Sequence, residues 1–410
     1  MLLASKGRHM ASRGGTISRR TMTPQSLKLP TGVSSIPEEV APLFQPLQLG
    51  RFQLSNRMVY PPLTRCRAPD HVPRPHMAAY YGQRAFEGSL MIAEATMVAS
   101  DGYGYPNIPG IYTPEQVEGW KPVTQAVKAK GAVFFNQLWH CGRSAHELLN
   151  PNKEPPVSSS PLAITDPAYS KIYIGGTTMV DAQVPVALDE AGIKAKVQAF
   201  RTAARNALDA GFDGVEIHGA NGYLIDQFTK SNCNTRSDQY GGSIENRCRF
   251  ALEVVAAVVE EVGGDRVGIR LSPFTDFLGA VDATPYATFT YLVEQLNKFG
   301  LAYLHMVESR INGNTELENN PNSLTPFRLV FKGPFIAAGG YKRESGIKAV
   351  SSGHSDLVAF GRIWIANPDL PTRFLLNAPL NRYNRDTFYT PGMEGYTDYP
   401  TLEQAQATAA

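Results

Sequence analysis

No stretch of the 410-residue sequence approaches the ~18 consecutive apolar residues that a membrane-spanning helix needs. Cysteine is scarce. Cys66, Cys141, Cys233 and Cys248 form no C-x-x-C pair and match no zinc spacing, so they read as free thiols of a reducing compartment. Excess charge is also missing: the formal net charge is +2, which gives no electrostatic ground for a nucleic-acid partner. No G-x-G-x-x-G follows the first apolar run, so the usual signature of an open dinucleotide-binding sheet is absent. The last absence is local. Residues 1–37 contain Lys6, Arg8, Arg13, Arg19, Arg20 and Lys28 but no Asp or Glu, which leaves 33 basic and 37 acidic residues, a net −4, for the remainder. An acid-free leader rich in Ser and Thr has the composition of an organelle transit peptide. A disordered arm and, from the stretch GRHMAS, residues left by an expression vector are the other readings. The expected location is therefore the cytoplasm or a plastid or other organelle. The expected organisation is a leader over 1–40, one folded domain over 41–400 and a flexible tail over 401–410.

What the sequence does have is a strand-then-helix repeat. Eight short runs are almost continuously apolar: "NRMVYPPLT" (56–64), "SLMIAEATMV" (89–98), "AVFFNQLW" (132–139), "DGVEIHG" (213–219), "RVGIRLSP" (266–273), "LAYLHMVES" (301–309), "PFIAAGG" (334–340) and "DLVAFGR" (356–362). Parallel strands covered on both faces read this way, without polar alternation. Between them the period becomes helical. In 189–211, Ile193, Val197, Phe200, Ala204 and Leu208 fall on one stripe. In 243–264, Phe250, Val254, Val258 and Val262 recur every four residues, with Ser243 as N-cap and glycines at the end. A third helix is expected over 115–131, broken into two turns by Pro122. Eight such units predict an α/β fold, a (β/α)8 barrel. "LQLGRFQLSNR" (47–57) reads as an N-terminal hairpin placed to plug the barrel bottom. The long connection 140–188 follows the third strand, which puts it on the C-terminal face where barrel enzymes carry their sites.

The polar residues at the strand ends make an unusual set. The first strand ends in Thr64, the third in Gln137, Trp139 and His140, and the fourth in His218, Asn221 and Tyr223. The fifth carries Arg270, the sixth Glu308 and Arg310, the seventh Gly339 and Gly340, and the eighth Gly361 and Arg362. Glycines followed by an arginine at the last two strands suit a phosphate, because backbone N–H groups can approach it and the guanidinium adds a charge-assisted pair. A buried Arg270 requires an anionic or electron-rich partner. Together they suit a phosphorylated, planar, polar heteroaromatic ligand. Taken one by one, a histidine at a strand end or a Gly-Gly pair is more often structural.

The motifs "YPPLTR" (60–65), "NQLWHCGR" (136–143), "HGANGYLIDQF" (218–228), "NTRSDQYGGSIENRCRF" (234–250), "GIRLSP" (268–273) and "GRIWIANPDL" (361–370) occur in the order found in the old yellow enzyme family of flavin-dependent ene-reductases, which the chain resembles from about Leu43 to Tyr399. The segments "NQLWHCGRSAHE" and "GYTDYP" are most similar to the plant 12-oxophytodienoate reductase branch, whose substrates are oxylipins. The resemblance implies FMN as cofactor, with Pro62, Leu63, Thr64, Ala95 and Gln137 along the isoalloxazine. It implies Arg270 beside N1 and O2, and Gly339, Gly340, Gly361 and Arg362 at the phosphate. His218 and Asn221 would hold a substrate carbonyl and Tyr223 would donate a proton, with Trp139, Phe277, Arg310 and Tyr399 as pocket walls. The implied reductant is NADPH, with NADH as the alternative, and the implied partners are small enones. No nucleic-acid or membrane partner is expected, and the implied state is a monomer or weak homodimer. The plant branch usually has a second histidine where this chain has Asn221, which weakens the case for 12-oxophytodienoate itself as substrate. An FMN-binding isomerase or cyclase, or a non-catalytic flavin-binding protein, are the other readings of the same scaffold.

Overall fold

The eight apolar runs fold into eight parallel strands, numbered one to eight below: Met58–Tyr60, Leu90–Ile92, Val133–Trp139, Gly214–Gly219, Val267–Leu271, Tyr303–Val307, Phe335–Ala338 and Leu357–Ala359. Each pairs with the next, and the eighth pairs with the first, so the sheet closes into a barrel. This computed structural model describes residues 34–312, 315–316 and 321–409. The readings of the leader over residues 1–33 lie outside the described residues. Val40, inside the expected leader boundary, is already fully buried.

Alternation along each strand sorts the side chains. Phe134, Leu138, Val215, Ile217, Ile269 and Leu271 face the surrounding helices. Val59, Leu90, Phe135, Tyr303, Ile336 and Leu357 fill the lower interior. The interior interdigitates large with small residues. A Cβ on Gly214 would lie 2.5 Å from the Phe135 ring, and one on Gly268 would lie 2.3 Å from the Tyr303 ring. Those two glycines are therefore what lets the aromatic rings fill the barrel.

The hairpin Leu47–Leu49 and Phe52–Leu54 closes the N-terminal end as expected, with Leu49 and Leu54 buried among the interior residues. Gly50 turns it with φ +55°, and a Cβ there would sit 2.0 Å from the Asp265 carbonyl oxygen. Arg51 clasps Asp265 through two hydrogen bonds of 2.8 Å.

The helices start where the caps demand. Asp189 accepts from the Gly192 N–H and Ser243 from the Asn246 N–H, while Thr113 and Gln116 form a reciprocal capping box. Two expectations need correction. Pro114–Lys128 is one helix that runs through Pro122. Pro122 and Glu118, whose carbonyl loses its partner, lie on the solvent face, while buried Trp120, Val123 and Val127 hold both halves against the barrel. The segment expected as a flexible tail contains the helix Leu402–Ala409, tied at its start by the Leu402 N–H to Asp369 Oδ2 at 2.6 Å. The connection after strand three also holds a hairpin, Lys171–Gly175 with Thr178–Asp181, that periodicity did not reveal. No helix among the described residues is long and apolar enough to cross a membrane.

Candidate active site

The chain leaves strand four through Asn221 and Gly222, which take consecutive left-handed conformations at φ +57° and +73°. Asparagine tolerates this region and glycine enters it freely. A Cβ on Gly222 would lie 2.5 Å from the Phe277 carbonyl oxygen, so the second position accepts only glycine without a shift. The Asn221 N–H donates to Ser272 Oγ at 2.6 Å and the Gly222 N–H to Asp226 Oδ2 at 2.8 Å, which fixes the turn. Gly219, the first glycine of the motif, is not where the chain turns. It stays in the strand, in register with Leu271, and the reversal comes two residues later. It delivers Tyr223 to the mouth of the wholly buried helix Leu224–Thr229.

Three rings then meet. Tyr223 sits edge-on to Trp139 at 4.7 Å and to His218 at 5.0 Å, and Trp139 stacks on His218 at 5.9 Å. His218 Nδ1 accepts the Ala220 N–H at 3.3 Å, which leaves Nε2 as the donor of a neutral imidazole. Burial, helped by the positive charge of Arg270, holds its pKa well below the usual value. The Tyr223 hydroxyl lies 3.2 Å from that of Tyr105. Burial first, then Tyr105, pushes the Tyr223 pKa well above the ordinary phenol value.

Beneath these rings lies a polar layer inside the barrel. Gln137 Nε2 donates to Glu216 Oε1 at 2.7 Å, and His305 Nδ1 lies 2.8 Å from Glu216 Oε2. Arg270 stands between His218 and His305 in the strand register. Its Nε is buried and, among the described residues, has no hydrogen-bond partner; nor does Trp139 Nε1.

A cavity of about 570 Å³ opens above this layer at the C-terminal ends of the strands. It is lined by Pro62, Leu63, Thr64, Ala95, Gln137, Trp139, His218, Asn221, Tyr223, Arg270, Phe277, Gly339, Gly340, Gly361 and Arg362. Two expected wall residues are elsewhere. Tyr399 lines a second depression with Gln83, Ala85 and Lys130, and its hydroxyl accepts the Asn384 N–H at 2.9 Å. Arg310 turns back, its Nε donating to the Gly339 carbonyl at 2.7 Å and its guanidinium lying over the Tyr341 ring at 4.6 Å. Glu308 likewise turns away, to the Tyr341 hydroxyl and His354.

Several walls had no sequence signal. Tyr105 comes from the loop after strand two and stacks on Trp139 and Tyr389. Tyr383, Phe388 and Tyr389 come from the chain after the last barrel helix. Arg65 and Arg67 hold that segment: Arg65 donates to the carbonyls of Phe388 and Gly395, and Arg67 to those of Thr387, Gly392 and Glu394. "YPPLTR" thus fixes the aromatic rim as well as one wall.

The residues fit a flavin mononucleotide. The half-buried Arg270, whose buried Nε has no partner among the described residues, faces a cavity large enough for a planar ligand, and Gln137 borders it. At the far end Gly339, Gly340 and Gly361 leave the backbone open beside Arg362, whose guanidinium is 3.8 Å from the Glu316 carboxylate and a quarter exposed.

Comparison with known proteins agrees. Residues 42–381 match the family model described as "NADH:flavin oxidoreductase / NADH oxidase family". The chain is 53% identical to 12-oxophytodienoate reductase 1 of Oryza sativa subsp. japonica over 368 residues, 88% of this chain and 94% of that one. A solved structure of morphinone reductase in complex with tetrahydroNAD superposes with a TM-score of 0.83 at 44% identity, covering 88% of this chain and 98% of that one. The old yellow enzyme homologue from Zymomonas mobilis gives a TM-score of 0.83 at 41% identity, over 88% and 99%. A barrel with this polar layer and this match along most of its length belongs to the NADH:flavin oxidoreductase / NADH oxidase family, as an old yellow enzyme relative similar to the plant 12-oxophytodienoate reductases.

Proposed function

We propose that this chain is an FMN-dependent ene-reductase that uses NAD(P)H to reduce the C=C bond of α,β-unsaturated carbonyl compounds. The observation that carries the reading is the turn after strand four, which aims a neutral imidazole donor, an amide and a protonated phenol into one cavity with Arg270 below. When bound, FMN supplies hydride to the substrate β-carbon after receiving it from the nicotinamide in the same site.

The side chains supply the rest. His218 Nε2 and the Asn221 amide donate to the enone oxygen, where negative charge builds, as preorganised donors of an oxyanion hole do. A neutral imidazole is the right form for this, since its proton stays on His218 while the bond strengthens. Tyr223 gives its proton to the α-carbon, and its raised pKa keeps it protonated through and beyond pH ~10. Trp139 and Tyr105 form apolar walls for the body of the substrate. Residues Gly339, Gly340, Gly361 and Arg362 hold the cofactor phosphate, and Gln137 and Arg270 hold its ring system. Asn221 donates to a carbonyl oxygen as a second histidine would, and a panel of cyclic enones, maleimides and an oxylipin measures which enones the pocket prefers.

The Tyr223→Phe variant tests the assignment. Its enone turnover is expected to fall by about 10²–10⁴-fold while NADPH still bleaches the flavin. Undiminished enone reduction in a folded, FMN-loaded variant would remove Tyr223 from the proton-donor role.

A further inference from the structure

Glu216 is fully buried inside the barrel, on strand four, two residues before His218. Neither substrate binding nor proton delivery uses it. Taking a carboxylate out of water is costly unless its neighbours compensate. Here Oε1 accepts from Gln137 Nε2 at 2.7 Å and Oε2 faces His305 Nδ1 at 2.8 Å. His305 is itself fully buried, and its Nε2 has no partner among the described residues, as expected of a bare lone pair on a neutral ring that donates from Nδ1. Arg270 is the cation of the layer, one strand over and half-buried, and its buried Nε has no hydrogen bond among the described residues.

Two consequences follow from a carboxylate in this position. A carboxylate only accepts, so it fixes the Gln137 amide with its nitrogen down and leaves the amide oxygen for the cavity. Its negative charge also offsets that of Arg270, so the floor of the cavity is close to neutral rather than cationic.

We propose that Glu216 is a positioning residue that orients Gln137 and sets the reduction potential of the bound flavin by offsetting Arg270. The proposal rests on the reading above that FMN occupies this cavity over Arg270. A two-electron-reduced flavin carries more negative charge than the oxidised form. A fixed anion below it disfavours the reduced form, and Arg270 favours it. The balance between the two therefore sets how readily the flavin accepts electrons from a nicotinamide and gives them up to an enone.

The test is the midpoint potential of the FMN holoprotein. In Glu216→Gln the new amide oxygen still accepts from Gln137, and its NH2 group donates to His305 Nδ1 in the other tautomer, so both hydrogen bonds survive while the charge goes, at the cost of a buried His305 Nε2–H without a partner. Glu216→Met keeps the volume and removes both. Each is expected to favour the reduced over the oxidised flavin by about tenfold, an upward shift of about 30 mV for a two-electron couple. A purely structural role predicts weaker FMN binding at an unchanged potential. An unchanged or lowered potential in a folded, FMN-loaded Glu216→Gln overturns the proposal. If neither variant folds, redox-difference infrared spectra of the wild-type holoprotein with isotope-labelled glutamate decide it. A carboxylate stretch displaced on reduction is expected, and the absence of one overturns it. A wild-type protein that binds no FMN would sink the functional reading instead, which keeps the two failures apart.

Discussion

Strand three carries both ends of the barrel on one face. Phe135 packs into the apolar interior with Leu49 and Leu54 of the hairpin, whereas Gln137 and Trp139, two and four residues on, open onto the cavity. The lower end is sealed and filled with fully buried apolar side chains. Among the described residues, the upper end retains Arg270 Nε and Trp139 Nε1 without partners beside an open cavity, whereas the one such group of the lower interior, the Tyr303 hydroxyl, is sealed in. One end of the same scaffold thus gives stability, and the other holds unsatisfied polar groups that a ligand can satisfy.

Substitutions at the two ends should separate these roles. The largest expected change is at the bottom. Leu54→Ala should cost about 2–5 kcal/mol in denaturant unfolding, as a truncated core leucine does, with kcat/KM on enones unchanged. A change in kinetics without a loss of stability would blur the division. At the top, Arg270→Leu should act on the ligand as well as on stability. FMN affinity should fall by about 10–150-fold, from ~1.5–3 kcal/mol of charged hydrogen bonding, and the cofactor-free protein should also lose stability, because buried Glu216 keeps its charge and loses the cation that offsets it. FMN titration beside unfolding of the cofactor-free form reads both. His218→Ala should weaken phenol binding to the oxidised holoprotein by about tenfold and diminish the long-wavelength charge-transfer band. A band of full strength would count against His218 as a donor. The smallest effect belongs to Arg51→Ala. The Arg51 and Asp265 side chains are 44% and 40% exposed, so the pair is worth about 1 kcal/mol or less and should fade further in high salt.

The same division governs what the sequence disclosed. Strands read well because parallel strands buried on both faces leave an uninterrupted apolar run, and caps such as Ser243 are local chemistry. The walls carried on strand ends, from Thr64 to Arg362, were legible because a barrel fixes where strand ends point. Tyr105, Phe388 and Tyr389 were not, since loops place them, and the positions of Phe388 and Tyr389 depend on Arg65 and Arg67 gripping a segment more than 300 residues away. Arg310 and Tyr399 failed for the complementary reason: the resemblance gave their place in the chain, but not the Gly339 carbonyl or the Asn384 N–H that holds them elsewhere. Glu216 and His305 did leave a trace. An acid and an imidazole inside otherwise apolar strands are costly unless paired, and their inward parity matches that of Gln137 and Arg270.

The most direct measurement is an anaerobic titration of the purified wild-type protein with FMN, then NADPH, then a cyclic enone. Bound FMN should show the flavin absorbance bands, about one equivalent of NADPH should bleach them, and about one equivalent of enone should restore them with formation of the saturated ketone. A protein that stays colourless with added FMN, or a bleached flavin that no enone reoxidises, would contradict the assignment.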